Sequence, residues 1–187
     1  RTAWLANWFT TDTSICLHDA WRYARDVKEL RSILEAVALS HPQYKYVGTS
    51  DSCNGWFYPE LKEEFPEARF GLVCRALIES TLSIEKWLRK AELPEPIEGL
   101  DKRLGALQHK HSCLIEEADV SLSYMELNSM DKMKELQAHL TPILRFSPAR
   151  FALLDGLQVE INIPKYKSSL AHKPMIGNGC LPEGLLP

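Results

Sequence analysis

The run of residues 69–90 changes its hydrophobic period halfway along, and this change constrains the fold more than any other feature of the sequence. Residues 70–74 are mostly apolar, as in a buried parallel strand. From Leu77 to Leu88 the apolar side chains recur at roughly helical spacing, with charged residues between them. A strand that leads directly into a helix is typical of an α/β protein built on a parallel sheet.

Arg75 stands where this strand meets the helix, and Ser83 follows eight residues later. Ligands of open α/β sheets bind at the carboxyl ends of the strands, which is where Arg75 is expected to lie. A guanidinium can donate two bonds at once to a phosphate, and Ser83 lies two helical turns further on. These two residues therefore predict an anion site, although Arg75 could equally be an arginine that only solvates the strand end.

The rest of the chain also alternates between short strands and helices. Strands are predicted at residues 14–19, 44–48, 70–74 and 120–124, with a weaker one at 157–163. This alternation predicts one α/β domain over residues 1–187, a three-layer sandwich with a central parallel sheet, and residues 168–187 as an irregular tail. Helices are predicted at the start of the chain and at residues 27–40, 56–65, 77–90, 97–117, 129–140 and 149–154.

Composition and charge narrow the classes of function. Apolar residues make up 45% and charged residues 25% of the chain, and the net charge is −3, so no global charge favours nucleic acid or a membrane surface. Neither a membrane-spanning stretch nor a signal peptide is visible. The five cysteines form no C-x-x-C pair, which favours reduced thiols in a cytoplasmic protein, with Cys74 and Cys113 buried.

Polar residues follow three of the predicted strands, and two of them are candidate catalytic residues. Asp51 is the first candidate for a general base, but it could also be a turn residue that caps the next helix. His18, which Asp19 could orient, is the second candidate, with a plain surface histidine as the alternative.

Two further groups carry a weaker signal. His109 and His111 face different directions on a polar helix, so we expect them to be solvated and predict no metal site. Lys165 and Lys167 could assist an anionic leaving group or could simply solvate a sheet edge.

Four stretches of the chain resemble the P-loop sulfotransferase superfamily, in particular its small phage and bacterial members. Residues 1–5, RTAWL, resemble the end of the phosphosulfate-binding loop, and Arg75 with Ser83 matches the family's R-x7-S spacing. Residues 120–127, VSLSYMEL, resemble the strand that ends in Y-E-D-L. Residues 47–66 resemble the stretch before the arginine strand in phage-type members. The resemblance spans roughly residues 1 to 140.

The resemblance implies a fold like that of P-loop nucleotide kinases and a small-molecule nucleotide cofactor. The cofactor would be 3′-phosphoadenosine 5′-phosphosulfate (PAPS), which leaves adenosine 3′,5′-bisphosphate (PAP) once its sulfuryl group has moved to a hydroxyl or amine of an unidentified acceptor. A phage-encoded member would act in the host cytoplasm. The residues that the resemblance places at the cofactor are Arg1, Thr2, Ala3, Trp4, Arg75, Ser83 and Tyr124.

Within that resemblance each residue has an implied role. Thr2 would bind the 5′ phosphate with backbone amides of the helix start, and Trp4 would stack on the base, unless Trp4 is simply a core residue. Arg75 and Ser83 would hold the 3′-phosphate, and Tyr124 would border the adenine.

The sequence also departs from the family pattern. The glycines and the basic residue of the loop would stand before Thr2, and the first strand before them, so we expect the natural protein to begin upstream of Arg1. The catalytic histidine of eukaryotic members has no counterpart, because residues 50–52 are Ser-Asp-Ser. A catalytically inactive binding or interaction protein with the same fold is therefore the alternative. An ATP-dependent P-loop kinase is a third, disfavoured because no G-K-[ST] is visible.

Overall fold

The computed structural model describes residues 2–91 and 100–155, in which helices alternate with short strands. The strands are β1 (Ser14–His18), β2 (Tyr46–Ser50), β3 (Gly71–Cys74) and β4 (Val120–Ser123). The described part of the chain is thus a mixed α/β structure, as the sequence predicted. The helices are α1 (Thr2–Phe9), α2 (Val27–Ser40), α3 (Tyr58–Glu64), α4 (Leu77–Ala91), α5 (Leu100–Leu114), α6 (Met130–Leu140) and α7 (Pro148–Asp155).

All four strands lie in parallel pairs, but the pairs are separate. β1 pairs with β2 so that His18 lies opposite Ser50, and β3 pairs with β4 so that Cys74 lies opposite Ser123. Among the described residues no strand joins β2 to β3, and the two sheets have two strands each. The prediction of parallel strands is confirmed, whereas a single central sheet is not formed by this part of the chain.

The larger core cluster holds α1 against β4, α6 and α7. Trp4 and Trp8 lie one helical turn apart and stack with ring centroids 6.0 Å apart. Because both rings are almost fully buried from solvent, the aromatic face of α1 holds the helix against the core. The buried members of this cluster are Trp4, Trp8, Phe9, Val120, Leu122, Leu127, Met133, Leu136, Phe151 and Leu154.

A second core cluster packs α2 and α3 against the turn that follows β1. Trp21 stacks on Phe57 with centroids 4.5 Å apart, and its indole nitrogen donates a 2.7 Å hydrogen bond to the Asn54 side-chain oxygen. Leu30 and Leu61 complete the buried centre of this cluster. A single polar contact thus fixes the orientation of the largest apolar side chain in the cluster.

Several element boundaries differ from the predicted ones. β2 begins and ends two residues later than predicted, so Thr49 and Ser50 belong to the strand. Ser123 caps a short 3-10 turn over Tyr124–Asn128, which the sequence analysis missed. Asp26 caps α2, since its side chain accepts a 2.8 Å hydrogen bond from the Glu29 amide.

The cysteine predictions are wrong in part. Cys113 is exposed on α5, and Cys74 is only half-buried at the end of β3, so neither is fully buried. Cys53 is disulfide-bonded, which contradicts the expectation that all thiols are reduced. Cys16, Cys74 and Cys113 are free thiols.

Some predictions fall outside the described residues. These are the strand at residues 157–163, Lys165 and Lys167, and the irregular tail at 168–187. Of the helices in the described ranges, none has both the length and the apolar character needed to cross a membrane.

Candidate functional site

The start of α1 and the end of β1 meet at the carboxyl edge of the first strand pair. The hydroxyl of Thr2, the first residue of α1, lies 3.0 Å from His18 Nε2. The same nitrogen lies 3.2 Å from an oxygen of Asp19, and both side chains are about one-third exposed, at 35% and 37%. A hydroxyl, an imidazole and a carboxylate therefore converge at a helix N-terminus, where the partial positive charge favours anions.

Asp19 adopts a backbone conformation that is uncommon for a residue with a side chain. Its φ of 55° lies in the left-handed region, which among the described residues other than glycine occurs only here. Aspartate tolerates this conformation better than most residues do. The turn directs the chain from β1 into the second core cluster and keeps the carboxylate beside His18.

Asp51 joins this group because β1 and β2 end side by side. His18 lies opposite Ser50, and Asp51 follows Ser50 directly. Burial raises the pKa of the Asp51 carboxyl, a hydrogen bond from the Cys53 amide opposes that rise, and the nearby Asp19 adds to it. We call Thr2, His18, Asp19 and Asp51 the strand-end cluster.

Of the two expectations for Asp51, the turn cap is observed, whereas the role of general base stays a prediction. Its Oδ1 accepts a 2.9 Å hydrogen bond from the Cys53 amide, so it caps the short turn Ser52–Gly55. The same side chain belongs to the strand-end cluster. The Trp21 amide also donates a hydrogen bond to this carboxylate, and because two carboxylate oxygens offer about four lone-pair sites, a site for a proton remains.

Arg75 lies at the end of the other strand pair, directly after β3. Because Cys74 lies opposite Ser123, the next residues, Arg75 and Tyr124, are also neighbours. The guanidinium carbon lies 4.3 Å from the centre of the Tyr124 ring, which is a cation–π distance. Arg75 Nε is 3.5 Å from Glu79 Oε2, an ion-pair distance, but it makes no aligned hydrogen bond although the atom is buried.

Arg75 follows β3 and Ser83 lies on α4, and their expected meeting at one phosphate stays a prediction. Ser83 lies on α4 with its side chain exposed, and among the described residues no hydrogen bond joins it to Arg75. The pairing that the structure provides is Arg75 with Tyr124, two residues that the resemblance placed on different parts of one nucleotide.

The remaining residues of the opening motif lie in different surroundings. Trp4 is in the core, and its indole nitrogen donates a 2.7 Å hydrogen bond to the carbonyl oxygen of Leu154. Of its two expected placements, the structure therefore favours the core. Ala3 is half-buried, and its carbonyl oxygen accepts a hydrogen bond from the Asn7 side chain. Arg1 lies outside the described residues.

An open cleft of about 650 Å³ is lined by residues of both β2 and β3. Thr2 and Asp51 of the strand-end cluster also line it, and so does His111 of α5. The prediction that His111 is solvated is wrong, because it is half-buried against Gly55 and burial lowers the pKa of its imidazole. The spacing of His111 between Leu107 and Leu114 on one helix face could have indicated this placement.

No metal site is found within residues 2–91 and 100–155. No group of three or more histidine, cysteine or acidic side chains there could hold a metal ion. Comparison of the chain with protein-family models, with curated proteins and with solved structures finds no match. A function must therefore be inferred from the side chains at the two strand ends, namely the strand-end cluster and the pair Arg75 and Tyr124.

Proposed function

We propose that the protein is a sulfotransferase that moves a sulfuryl group from PAPS to a hydroxyl or amine of an acceptor. The observation that carries the proposal is the hydrogen bond between Thr2 and His18, with Asp51 beside them. The N-terminus of α1, which favours anions, and two groups able to accept a proton, His18 and Asp51, thus lie together at the carboxyl ends of β1 and β2. Thr2, which the resemblance places at the 5′ phosphate, meets there with His18 and Asp51, the two candidates for proton transfer.

The proposed fold is a three-layer sandwich like that of P-loop nucleotide kinases, with both strand pairs in one central sheet. The parallel direction within each pair supports this arrangement, because parallel strands are almost always covered by helices on both faces. The cytoplasmic location of the enzyme, in a host if the protein is phage-encoded, belongs to the same proposal.

Asp51 would act as the general base, with His18 as a second group able to take the proton. The Asp51 carboxylate would take the proton of the acceptor as the acceptor's oxygen or nitrogen receives the sulfuryl group, and PAP would leave. A raised pKa suits this role because the carboxylate then holds an accepted proton more readily near neutral pH. The helix start of α1 would stabilise the charge on the departing phosphate.

Arg75 and Tyr124 would bind the other end of the cofactor. The guanidinium that lies over the tyrosine ring keeps its planar fork available for the 3′-phosphate, while the ring borders the adenine. Arg75 Nε is buried without an aligned hydrogen bond, so a phosphate oxygen could supply the missing acceptor. Glu79, 3.5 Å away, would have to yield to that phosphate.

The second candidate function is a catalytically inactive binding protein with the same fold. One observation favours it: the carboxylate of Glu79 already lies beside Arg75, where a family enzyme would bind phosphate. Ser83, the expected second ligand, is exposed on α4. An inactive protein would bind PAP or another partner without transferring sulfate.

Sulfate transfer from labelled PAPS to a panel of phenols, alcohols and amines tests the proposal. Asp51→Asn keeps an oxygen for the Cys53 amide but cannot accept a proton, so transfer should fall by about 10²–10⁴-fold. Asp26→Asn is the matched control, because Asp26 also caps a helix with one oxygen but lies outside the cluster. Equal activity of the two variants would contradict the role of Asp51, and PAP binding without any transfer would favour the inactive protein.

A further inference from the structure

A second cavity, of about 210 Å³, lies at the end of α1 that is remote from the strand-end cluster. It is lined by Trp8 and Phe9 from the last turn of α1, by residues 11 and 12 from the loop ahead of β1, and by residues near the start of α7. The strand-end cluster lies at the opposite ends of these elements, because Thr2 begins α1 and His18 ends β1. We call this space the amino-end cavity.

Two arginines line the amino-end cavity, and neither has a carboxylate at ion-pair distance within the described ranges. Arg145 is exposed, and no hydrogen bond joins it to another described residue. Arg150 is half-buried, and its Nη2 donates to the carbonyl oxygens of Asn7, at 2.7 Å, and of Thr10. Its Nε and Nη1 make no hydrogen bond to the described part of the chain. Two guanidinium groups therefore bring positive charge to one cavity without a paired carboxylate.

One carboxylate, that of Asp12, also belongs to the lining, and it is exposed. Burial lowers the pKa of the Arg150 guanidinium, and the charge of Asp12 opposes this by raising it. Two arginines against one aspartate leave a net charge of +1 among the described lining residues. The electrostatics of the amino-end cavity therefore favour an anion.

Neutral hydrogen-bond donors add to this preference. Trp8 is 3% exposed, and its Nε1 is buried without a hydrogen-bond acceptor among the described residues. Because buried indole N–H groups are normally paired, this missing acceptor needs an explanation. The Oγ of Ser147 accepts a 3.2 Å hydrogen bond from the Arg150 amide at the start of α7, and its hydroxyl hydrogen remains to be donated. A negatively charged ligand would match all of these groups.

We propose that the amino-end cavity binds a small monocarboxylate with an apolar body. The carboxylate would lie between the guanidinium groups of Arg145 and Arg150, whose planar forks match its two oxygens. A single negative charge suits a lining of net charge +1, whereas Asp12 would repel a doubly charged phosphate. The apolar body would contact Phe9 and Leu144, which also line the cavity. The volume of about 210 Å³ equals the share of about seven water molecules, so the ligand must be small.

Arg150 also has a structural role, which affects the choice of variant. Its bonds to the carbonyl oxygens of Asn7 and Thr10 hold the end of α1, where the helix dipole favours a cation. A change at Arg150 would therefore alter stability as well as any ligand binding. Arg145 makes no such bond among the described residues, so its removal tests the ligand without disturbing the end of α1.

Nuclear magnetic resonance of the tryptophan indole N–H groups in the full chain tests the proposal, with sodium benzoate as the probe. The chain has five tryptophans, and Trp8→Phe identifies the Trp8 signal. Benzoate should shift this signal along a saturable curve with a dissociation constant in the millimolar range or lower. Benzamide, its uncharged analogue, should bind at least about tenfold more weakly.

Arg145→Gln should weaken the binding of benzoate by about fivefold or more, because it removes one of the two guanidinium groups. Arg89→Gln is the matched control, since Arg89 is exposed on α4 and does not line the cavity. It removes the same charge and should leave the affinity for benzoate unchanged.

Four results would overturn the proposal. The first is the lack of a saturable shift of the Trp8 signal with benzoate, and the second is equal affinity for benzamide. The third is equal weakening in Arg145→Gln and Arg89→Gln, because benzoate would then respond only to the overall charge. The fourth is tighter binding of inorganic phosphate than of benzoate at this signal, which would assign the cavity to another class of anion. None of these readouts requires sulfate transfer, so they test the cavity independently of the proposed function.

Discussion

The indole nitrogen of Trp4 donates a hydrogen bond of 2.7 Å to the carbonyl oxygen of Leu154, 150 residues later in the chain. This contact joins the first helix to the last helix of the described residues, and both residues are buried. One turn further along α1, Trp8 is equally buried, but its indole nitrogen has no hydrogen-bond partner among the described residues. The two tryptophans therefore form a natural pair for comparison.

Trp4→Phe is expected to destabilise the protein more than Trp8→Phe does. Both changes remove similar volume, but only the first leaves the Leu154 carbonyl without its donor, which costs about 1–3 kcal/mol for a buried group. Urea unfolding followed by circular dichroism measures the difference. Equal loss of stability in the two variants would mean that the hydrogen bond contributes little beyond packing.

Asp51→Asn is expected to raise the free energy of unfolding near neutral pH. Since burial raises the pKa of Asp51, the folded protein binds this proton more tightly than the unfolded chain does. The contribution of Asp51 to the free energy of unfolding therefore falls as pH rises from its pKa in the unfolded chain to its raised pKa in the folded protein. The asparagine of the variant does not ionise, so the variant does not lose this free energy. The advantage of Asp51→Asn over the wild type should be present at about pH 7 and absent at about pH 3, below both pKa values.

Urea unfolding of Asp51→Asn and of the cap variant Asp26→Asn at both pH values checks this. Aspartate and asparagine are about equally good caps, so Asp26→Asn should show no such gain. An advantage of Asp51→Asn that persists unchanged at low pH would contradict the assignment of the pKa shift to Asp51.

Gly55→Ala is expected to lower the free energy of unfolding by about 1–3 kcal/mol, whereas Gly48→Ala should cause no steric loss of stability. A methyl group at Gly55 would clash with His111 Nε2, while one at Gly48 meets no atom within 4 Å. His111→Ala in the Gly55→Ala background should restore part of the lost stability in urea unfolding. Failure of this rescue would show that the ring of His111 does not pack against the Ser52–Gly55 turn.

Leu127→Ala is expected to cost about 2–5 kcal/mol, because Leu127 is fully buried in the larger core cluster. Leu39, which is 84% exposed on α2, is the matched control, and Leu39→Ala should change stability by less than about 0.5 kcal/mol. Thermal and urea unfolding of both variants measure the two effects. A small loss in Leu127→Ala would mean that the cluster between α6 and β4 collapses around the cavity.

The elements that the sequence predicts best are those specified by nearby residues. The start of α2 is an example, since Asp26 caps a helix whose apolar face recurs at 3.6-residue spacing. β3 and α4 were likewise visible in the change of period. Boundaries such as the end of β2 were shifted because Thr49 and Ser50 are polar and typical of turns, yet pairing with β1 extends the strand through them.

The site was predictable only in part because its contacts span long stretches of sequence. Thr2 and His18 were each singled out, but a spacing of 16 residues says nothing of a hydrogen bond between them. The stack of Arg75 on Tyr124 depends on the register of β3 and β4, which sequence alone does not give. His111 was misassigned because a polar helix was assumed to be solvated on every side.

Isothermal titration calorimetry with PAP and with adenosine 5′-monophosphate tests whether Arg75 binds the 3′-phosphate, because the two ligands differ only in that phosphate. We expect the wild-type chain to bind PAP at least about tenfold more tightly and Arg75→Ala to abolish this preference, a difference of about 1.4 kcal/mol. Tyr124→Phe, which keeps the ring under the guanidinium, should retain it. Equal affinity of the wild type for both nucleotides, or a preference that persists in Arg75→Ala, would contradict the proposed binding of the 3′-phosphate by Arg75.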